Sequence, residues 1–231
     1  MFRALFAASL AIIVAVPGHA AGRLFVISKA TKALQVFDAD TGTLEFEVKG
    51  AGDPHEVVVS ADGRFAYIGD HQGVVNTISV VDVEKRAIVD EINIKPHLRP
   101  HGLALTQDGK RLYATSAPTR AIVEIETSPL KMGRVFRFFV DSVENVALSP
   151  EQTLLFSSSS FDGNIQVFDL VKGEYERSIK TGDGSEGLNV SPDGTELWVA
   201  NRVSQTISVI DVKTRKRLQQ IQCVGNPMHV Y

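Results

Sequence analysis

The sequence predicts an all-β chain folded as a β-propeller of four-stranded antiparallel blades. Three observations predict this: a tight turn that recurs at a nearly fixed spacing, short apolar runs on both sides of each turn, and a third and fourth strand that follow in the same order. The turns begin at Ser60, Thr106, Ser149 and Ser191, which are 46, 43 and 42 residues apart. A β-sandwich also has short strands, but it does not predict one four-strand order repeated at a fixed period.

The recurring turn joins the first two strands of each unit. In the last unit, Leu188–Val190 precedes the turn Ser191–Gly194, and Leu197–Ala200 follows it. The Asp-Gly pair inside such a turn favours a tight hairpin, because Gly reaches positive φ without a steric penalty and Asp bonds to nearby backbone. We therefore expect a hairpin at each of the four positions.

A third and a fourth strand complete each unit. The third strand is expected at 34–38, 78–82, 122–126, 165–169 and 207–211, and the fourth at 44–48, 88–94, 135–140, 175–179 and 218–221. Polar turns separate these runs, and no segment after the first 20 residues has a helical pattern. The sequence thus contains about five blade units.

The two ends of the chain allow two arrangements of these units. Residues 23–50 supply strands two to four of a blade, and 227–231 resemble the beginning of a first strand. The C-terminal strand could complete the N-terminal blade and close a five-bladed ring. Alternatively, the chain is an open arc truncated from seven blades, whose uncovered edges would favour self-association.

The N-terminus has the features of a secretory signal peptide. A basic start at Met1–Arg3 precedes an apolar run from Ala4 to Val16 that is too short to span a bilayer comfortably. Small residues then predict cleavage after Ala20. We expect a signal peptide over 1–20, a propeller domain over 21–231, a periplasmic or secreted location, and no membrane attachment after cleavage.

Composition excludes several classes of protein. The net charge is −3 with basic residues scattered along the chain, so nucleic acid is not an expected partner. Cys223 is the single cysteine, which rules out an intrachain disulfide, a Cys-based metal cluster and a c-type haem. Cys223 itself is expected to be a small apolar side chain near a strand end.

The last unit also carries a recognisable repeat. Its segments Ser191–Gly194, Leu197–Asn201 and Thr206–Asp211 resemble the YVTN-type β-propeller repeat, and weaker copies extend through most of the chain after residue 20. Residues 128–160 depart most from the pattern. The resemblance implies an exported propeller from a family that is usually seven-bladed. Its motif residues form turns and sheet core, so they indicate the fold rather than the activity.

One constellation of residues could carry chemistry. Aligned on the turn, equivalent positions at the start of each first strand converge on the mouth of the central channel. The candidate ligand-binding residues there are His55, His101, Glu144, Glu186 and His229. Imidazole and carboxylate suit Zn²⁺ or another divalent ion, whereas the alternative is a structural or solvated set of polar groups. No metal, cofactor or catalytic residue is assigned from the sequence.

A weaker candidate cluster lies in the longest loop between strands. It consists of Asp70, His71 and Asn76. His71 and His97 are expected to be exposed loop residues that could at most extend the channel-mouth site. The serine run 157–160 falls in a predicted strand and has no nucleophile-elbow motif around it.

These observations favour a binding or scaffold module that holds a small molecule or a protein on one propeller face. The resemblance implies two alternatives: a channel-mouth hydrolase of the lactonase kind, with or without a metal, and an accessory protein of a periplasmic quinoprotein oxidation system. Trp198 is the only tryptophan, which argues against stacking of a flat quinone cofactor. Replacing both His55 and His101 would separate a channel-mouth enzyme from a scaffold that binds elsewhere.

Overall fold

A computed structural model describes residues 14–15, 22–71, 75–138 and 142–230, which form five four-stranded antiparallel sheets. We call the sheets blades 1 to 5. Blade 1 contains β1 (Val14–Ala15), β2 (Arg23–Ser28), β3 (Ala33–Asp38) and β4 (Leu44–Lys49). Blade 2 contains β5 (Pro54–Val59), β6 (Phe65–Asp70), β7 (Thr77–Asp82) and β8 (Ala87–Asn93).

The remaining blades follow the same order. Blade 3 contains β9 (Pro100–Leu105), β10 (Arg111–Ser116), β11 (Ala121–Thr127) and β12 (Leu130–Arg137), with a short 3₁₀ helix at Ala117–Thr119. Blade 4 contains β13 (Val146–Leu148), β14 (Leu154–Ser159), β15 (Asn164–Asp169) and β16 (Glu174–Lys180). Blade 5 contains β17 (Ser185–Val190), β18 (Glu196–Asn201), β19 (Thr206–Asp211) and β20 (Arg217–Gln222). The predicted five-blade, all-β propeller architecture is confirmed.

The predicted hairpin turns form for the predicted reason. Gly63, Gly109 and Gly194 adopt φ of +71°, +69° and +74°, a region that side chains with a Cβ rarely enter. In each of these turns an Asp carboxylate accepts a hydroxyl bond from the residue two before it and an N–H bond from the residue two after it. Blade 4 lacks the Gly, and Gln152 takes the same conformation at φ +55°.

Apolar side chains fill the spaces between consecutive blades. Phe25 and Val36 of blade 1 pack with Ile68 of blade 2, and equivalent clusters join blades 2 to 3, 3 to 4 and 4 to 5. Among the described residues, no such cluster joins blade 5 to blade 1. The core is therefore a series of four layers between five blades, which accounts for the near-continuous burial of the second and third strands.

A buried polar cluster reinforces the contact between blades 3 and 4. Glu124 accepts bonds from Nη2 and Nε of Arg134, at 2.6 and 3.0 Å, and from the Tyr113 hydroxyl at 2.9 Å. Nη1 of Arg134 donates to the Leu170 carbonyl of blade 4 at 2.7 Å. Burial alone would raise the pKa of Glu124, but the bonds from Arg134 and Tyr113 outweigh it and hold that pKa below its usual value.

The two chain ends do not pair with each other as they would in the closed-ring arrangement. β1 occupies the first-strand position of blade 1, with Val14 paired to Phe25 and Ala15 to Leu24. Residues 223–230 form no strand, and the Met228 carbonyl accepts a bond from the Gly187 amide at 2.8 Å. The C-terminal residues thus lie beside the first strand of blade 5 and do not complete blade 1, because they take the place that the first strand of a following blade would take.

Candidate functional site

Backbone and hydroxyl bonds fix the positions at the channel mouth. The Glu144 carbonyl accepts bonds from the Gly102 amide at 3.2 Å and from the Thr115 hydroxyl at 2.7 Å. One blade further on, the Ser158 hydroxyl donates to the Glu186 carbonyl. The first strands of blades 4 and 5 are therefore bound to the blades before them, which holds Glu144 and Glu186 in place at the channel mouth.

Glycine at the second position of this ring allows the strands to approach. A Cβ added to Gly102 would lie 2.6 Å from the Cα and 2.9 Å from Oδ1 of Asn145, and 2.7 Å from the Glu144 carbonyl oxygen. A Cβ on Gly187 would lie 2.3 Å from the Met228 carbonyl oxygen. Side chains at these positions would push apart the first strands of blades 3 and 4, and the first strand of blade 5 and the C-terminal segment, so the glycines allow the close approach at the channel mouth.

Three histidine rings meet at this mouth. The ring centroids of His55 and His101 are 4.1 Å apart, and His71 lies 4.8 Å from His55 and 4.7 Å from His101. One ring nitrogen from each residue lies within 4.8 Å of the others. His55 is the second residue of β5, His71 follows β6 and His101 is the second residue of β9, so two blades supply the cluster.

The contacts of His101 fix which of its nitrogens carries the proton. Nδ1 lies 3.0 Å from the Glu144 carbonyl oxygen, which can only accept, so Nδ1 is the protonated nitrogen. Nε2 then keeps its lone pair whenever the ring carries a single proton. His101 is only 6% exposed, and the Glu144 carboxylate oxygen Oε2 lies 4.0 Å from Nδ1.

His55 lies next to a buried carboxyl group. Nδ1 of His55 is 3.9 Å from Oε1 of Glu56, and both atoms are buried without a hydrogen-bond partner. Burial raises the pKa of Glu56 to about 8, against the opposing effect of an Asn145 bond. Burial, together with the charges of His101 and Lys29, lowers the pKa of His55 to about 2. Near neutral pH the two groups are thus a neutral pair rather than a salt bridge.

His71 is held by an arginine. Nη2 of Arg99 donates to Nε2 of His71 at 3.1 Å, and Nε of Arg99 donates to the His71 carbonyl at 3.2 Å. Since a guanidinium cannot accept, Nδ1 of neutral His71 carries the proton, and that atom is buried without a partner. Burial and the charges of His101 and Arg99 lower the pKa of His71 to about 4.

The predicted carboxylates take different places. Glu144 faces the cluster, and its Oε1 accepts from the hydroxyls of Ser142 and Ser160, the latter at 2.7 Å. Burial tends to raise the pKa of Glu144, but these bonds and His101 outweigh it and lower that pKa. Glu186 is instead paired with Arg202, whose Nε donates to Oε2 at 2.7 Å.

His229 belongs to the same electrostatic environment. Burial, and then the charge of His101, lowers its pKa, and His229 in turn lowers the pKa of His55. Its Nδ1 would lie 3.2 Å from a Cβ at Gly187, which places it beside the first strand of blade 5. The structure therefore brings His55, His101, Glu144 and His229 to one mouth and holds Glu186 in an ion pair at its side.

The weaker candidate cluster divides. His71 was expected to be an exposed loop residue and instead is half-buried in the histidine cluster, while Asp70 bonds the Asp53 amide and Asn76 bonds Asn93. The prediction that His97 is exposed is wrong: this side chain is buried, with 2% of its surface exposed, and its Nδ1 bonds the Thr119 hydroxyl at 2.7 Å. One sequence feature could have indicated that His71 joins the cluster: it directly follows the second strand of blade 2, which pairs with the first strand that carries His55.

A groove lies away from the histidine cluster. It has a volume of about 550 Å³ and is lined by the turns that end the first strands of blades 2 and 3, including Asp62 and Lys110. No histidine lines this groove. The channel mouth is at the start of these first strands and the groove is at their end, and a six-residue strand is about 20 Å long. Trp198 lines a separate groove of blade 5 with Pro192. The histidine cluster and the two grooves are thus distinct features.

Comparison with known proteins places the fold. The chain is 29% identical over 167 residues to the WD repeat-containing protein SL1-17 of Schistosoma mansoni, which is 70% of this chain and 52% of that protein. Over 76 residues it is 36% identical to Protein groucho of Drosophila melanogaster, covering 32% of this chain and 10% of that protein. No protein-family model matches the chain.

A solved structure has the same architecture. Hydrazine synthase of Kuenenia stuttgartiensis matches with a TM-score of 0.75 and 22% identity, covering 89% of this chain and 66% of that chain. At this level of sequence identity, the match shows a shared fold and nothing about activity. The chain spans about half of SL1-17 and less than two thirds of the hydrazine synthase chain. Together the matches show a propeller-like repeat protein and support a propeller binding or scaffold module.

Among the described residues, no helix is long and apolar enough to cross a membrane.

Proposed function

We propose that this chain is an exported propeller module that binds a small molecule or a protein at the channel mouth. The observation that carries the proposal is the convergence of His55, His71 and His101 in a half-buried cluster that leaves polar atoms unpartnered. Buried polar atoms without partners are uncommon in native proteins, and a bound ligand is one way to satisfy them. None of the unpartnered buried atoms found among the described residues belongs to the groove at the other end of the first strands of blades 2 and 3.

Export is supported by the first 20 residues, and the repeat is proposed to be of the YVTN type. Cleavage after Ala20 would remove β1 and leave β2 with an unpaired edge, which is a possible contact for a partner or a second copy. Sequencing the N-terminus of the protein recovered from the periplasm or medium of an exporting host tests this part. An intact Met1 in that fraction would refute cleavage.

The experiment that tests ligand binding is native mass spectrometry of the protein purified from an exporting host without chelator. The spectrum of the unchanged protein is compared with that of the double variant His55→Asn with His101→Asn and that of a control, Gln107→Ala with Lys110→Ala, in the opposite groove. We expect a bound species in the unchanged and control proteins only. Retention by the histidine variant, or loss in the control alone, would refute binding at the channel mouth.

A second candidate function is hydrolysis at the same mouth. Three imidazoles with an open fourth position resemble the ligand set of catalytic zinc sites, which favours this alternative over a quinoprotein accessory role. The only tryptophan lies in a groove of blade 5, and Nε1 of Trp198 donates to Glu196 at 2.9 Å. Turnover of a simple aliphatic lactone by the zinc-loaded protein, lost in the double histidine variant, would establish the hydrolase. An equal rate in both proteins would exclude it.

A further inference from the structure

We infer that His55, His71 and His101 form a binding site for a divalent transition metal ion, with Zn²⁺ or a neighbouring late first-row ion as the expected occupant. This inference deepens the proposed function and rests on it for the identity of the binding face. Imidazole nitrogen is a preferred ligand of these ions, and three imidazoles leave one tetrahedral position for water or an anionic ligand.

The distances suit a site that closes on a metal. One ring nitrogen of each histidine lies within 4.8 Å of a ring nitrogen of each of the other two. Nitrogens about 2.0–2.1 Å from a tetrahedral zinc are roughly 3.3 Å apart, so each ring needs to move inward by less than about 1 Å. Side-chain rotation supplies a shift of this size without moving the strands.

The groups behind the rings are those that orient metal-bound histidines. Nδ1 of His101 already donates to the Glu144 carbonyl, which leaves Nε2 for the metal. Nδ1 of His55 faces Oε1 of Glu56 at 3.9 Å, and Glu56 is only 7% exposed with that oxygen unpartnered. Closing this 3.9 Å gap to hydrogen-bond distance would give the carboxylate–histidine pairing found behind metal ligands.

Arg99 opposes metal binding at the third ligand. Its Nη2 donates to Nε2 of His71, so this guanidinium occupies a lone pair and adds positive charge beside the site. Binding through Nε2 requires Arg99 to withdraw, and binding through Nδ1 requires the proton to move to Nε2, where it would face the guanidinium. Removing the guanidinium should therefore strengthen metal binding. Asn suits position 99, where φ is +56°.

The test measures Zn²⁺ binding to the tag-free, chelator-washed full chain by calorimetry, with visible absorption of bound Co²⁺ as a report of geometry. The variants are His55→Asn, His71→Asn and His101→Asn. Asn places its amide nitrogen where Nδ1 was, so His101→Asn keeps the bond to the Glu144 carbonyl and removes Nε2. His97→Asn is the matched control, because His97 is buried, bonds through Nδ1 and lies outside the cluster.

We expect one Zn²⁺ per chain, a four-coordinate Co²⁺ spectrum, and a loss of affinity greater than 100-fold in each cluster variant. Glu56→Gln should weaken binding by about 10- to 100-fold, as loss of an outer-shell partner does. Arg99→Asn should tighten binding, and His97→Asn should leave it unchanged. Thermal melts without metal confirm that each variant is folded.

Three results would overturn the inference: no Zn²⁺ binding by the unchanged chain, unchanged affinity in a folded His101→Asn variant, or an equal loss in His97→Asn. Native mass spectrometry tests the proposed function separately from the metal site. If native mass spectrometry shows a non-metal ligand that the double histidine variant loses, binding at the mouth stands while the metal site fails. If Zn²⁺ binds as expected and no further ligand is captured, the metal site stands while that broader function fails.

Discussion

Replacing Gly102 with alanine should open the channel mouth and destabilise the propeller. The added Cβ would lie 2.6 Å and 2.7 Å from the Asn145 Cα and the Glu144 carbonyl oxygen, and neither backbone atom can rotate away. Overpacking of this kind costs about 1–3 kcal/mol. Separation of the strands also weakens the bond from the Gly102 amide to the Glu144 carbonyl, which adds about 1 kcal/mol. The expected total loss of unfolding free energy is about 3 kcal/mol.

Gly109→Ala is the matched control for this substitution. Nothing lies within 4 Å of a Cβ at Gly109, so only its φ of +69° opposes alanine, at a cost of about 1–2 kcal/mol. Both substitutions stiffen the unfolded chain equally, so that effect cancels in the comparison. Urea denaturation followed by circular dichroism should therefore place Gly102→Ala at least about 1 kcal/mol below Gly109→Ala, or roughly 2–4 °C in Tm. Equal stability of the two variants would refute the close approach of blades 3 and 4.

Three further predictions concern stability. Glu124→Gln should cost about 2 kcal/mol at pH 7. Because the folded pKa of Glu124 is lowered, that contribution is present above its usual 4.5 and is lost as pH falls through the folded value, so the gap to the unchanged chain should close in acid. Its control is Glu45→Gln, which removes a carboxylate from the exposed ion pair with Arg23 and should cost under about 0.5 kcal/mol. Gln152→Gly should stabilise the chain by about 0.5 kcal/mol, because its φ is +55°. Ser158→Ala should cost about 2 kcal/mol, whereas Ser159→Ala should be nearly neutral.

The measurements for these variants are urea titrations, repeated from pH 3 to pH 8 for Glu124→Gln. A constant gap across that range would show that the Glu124 carboxylate is not stabilised by its partners. A destabilised Gln152→Gly variant would show that its turn is unstrained. The serine pair tests hydrogen bonding directly, since both side chains are buried but only Ser158 bonds the Asn145 amide and the Glu186 carbonyl. The Ser159 hydroxyl has no partner among the described residues.

The blade architecture of this protein is determined locally, which is why the sequence predicts it. The turns at Gly63, Gly109 and Gly194 depend on residues within a few positions of one another, and the alternation of apolar residues decides which side of each strand is buried. Repetition of the unit then predicts five sheets in series. The same alignment placed His55 and His101 at one mouth, because equivalent positions in successive blades face one axis.

Only the tertiary structure decided which polar groups meet. His71 joins the cluster because the end of β6 lies beside the start of β5, a contact that a single loop residue does not reveal in the sequence. The unpartnered Oε1 of Glu56 likewise depends on packing across the channel. Glu186 was removed from the set of free carboxylates by Arg202, which is 16 residues away in sequence. Local periodicity fixes strands and turns, but the state of a polar side chain depends on neighbours that come from other strands and blades.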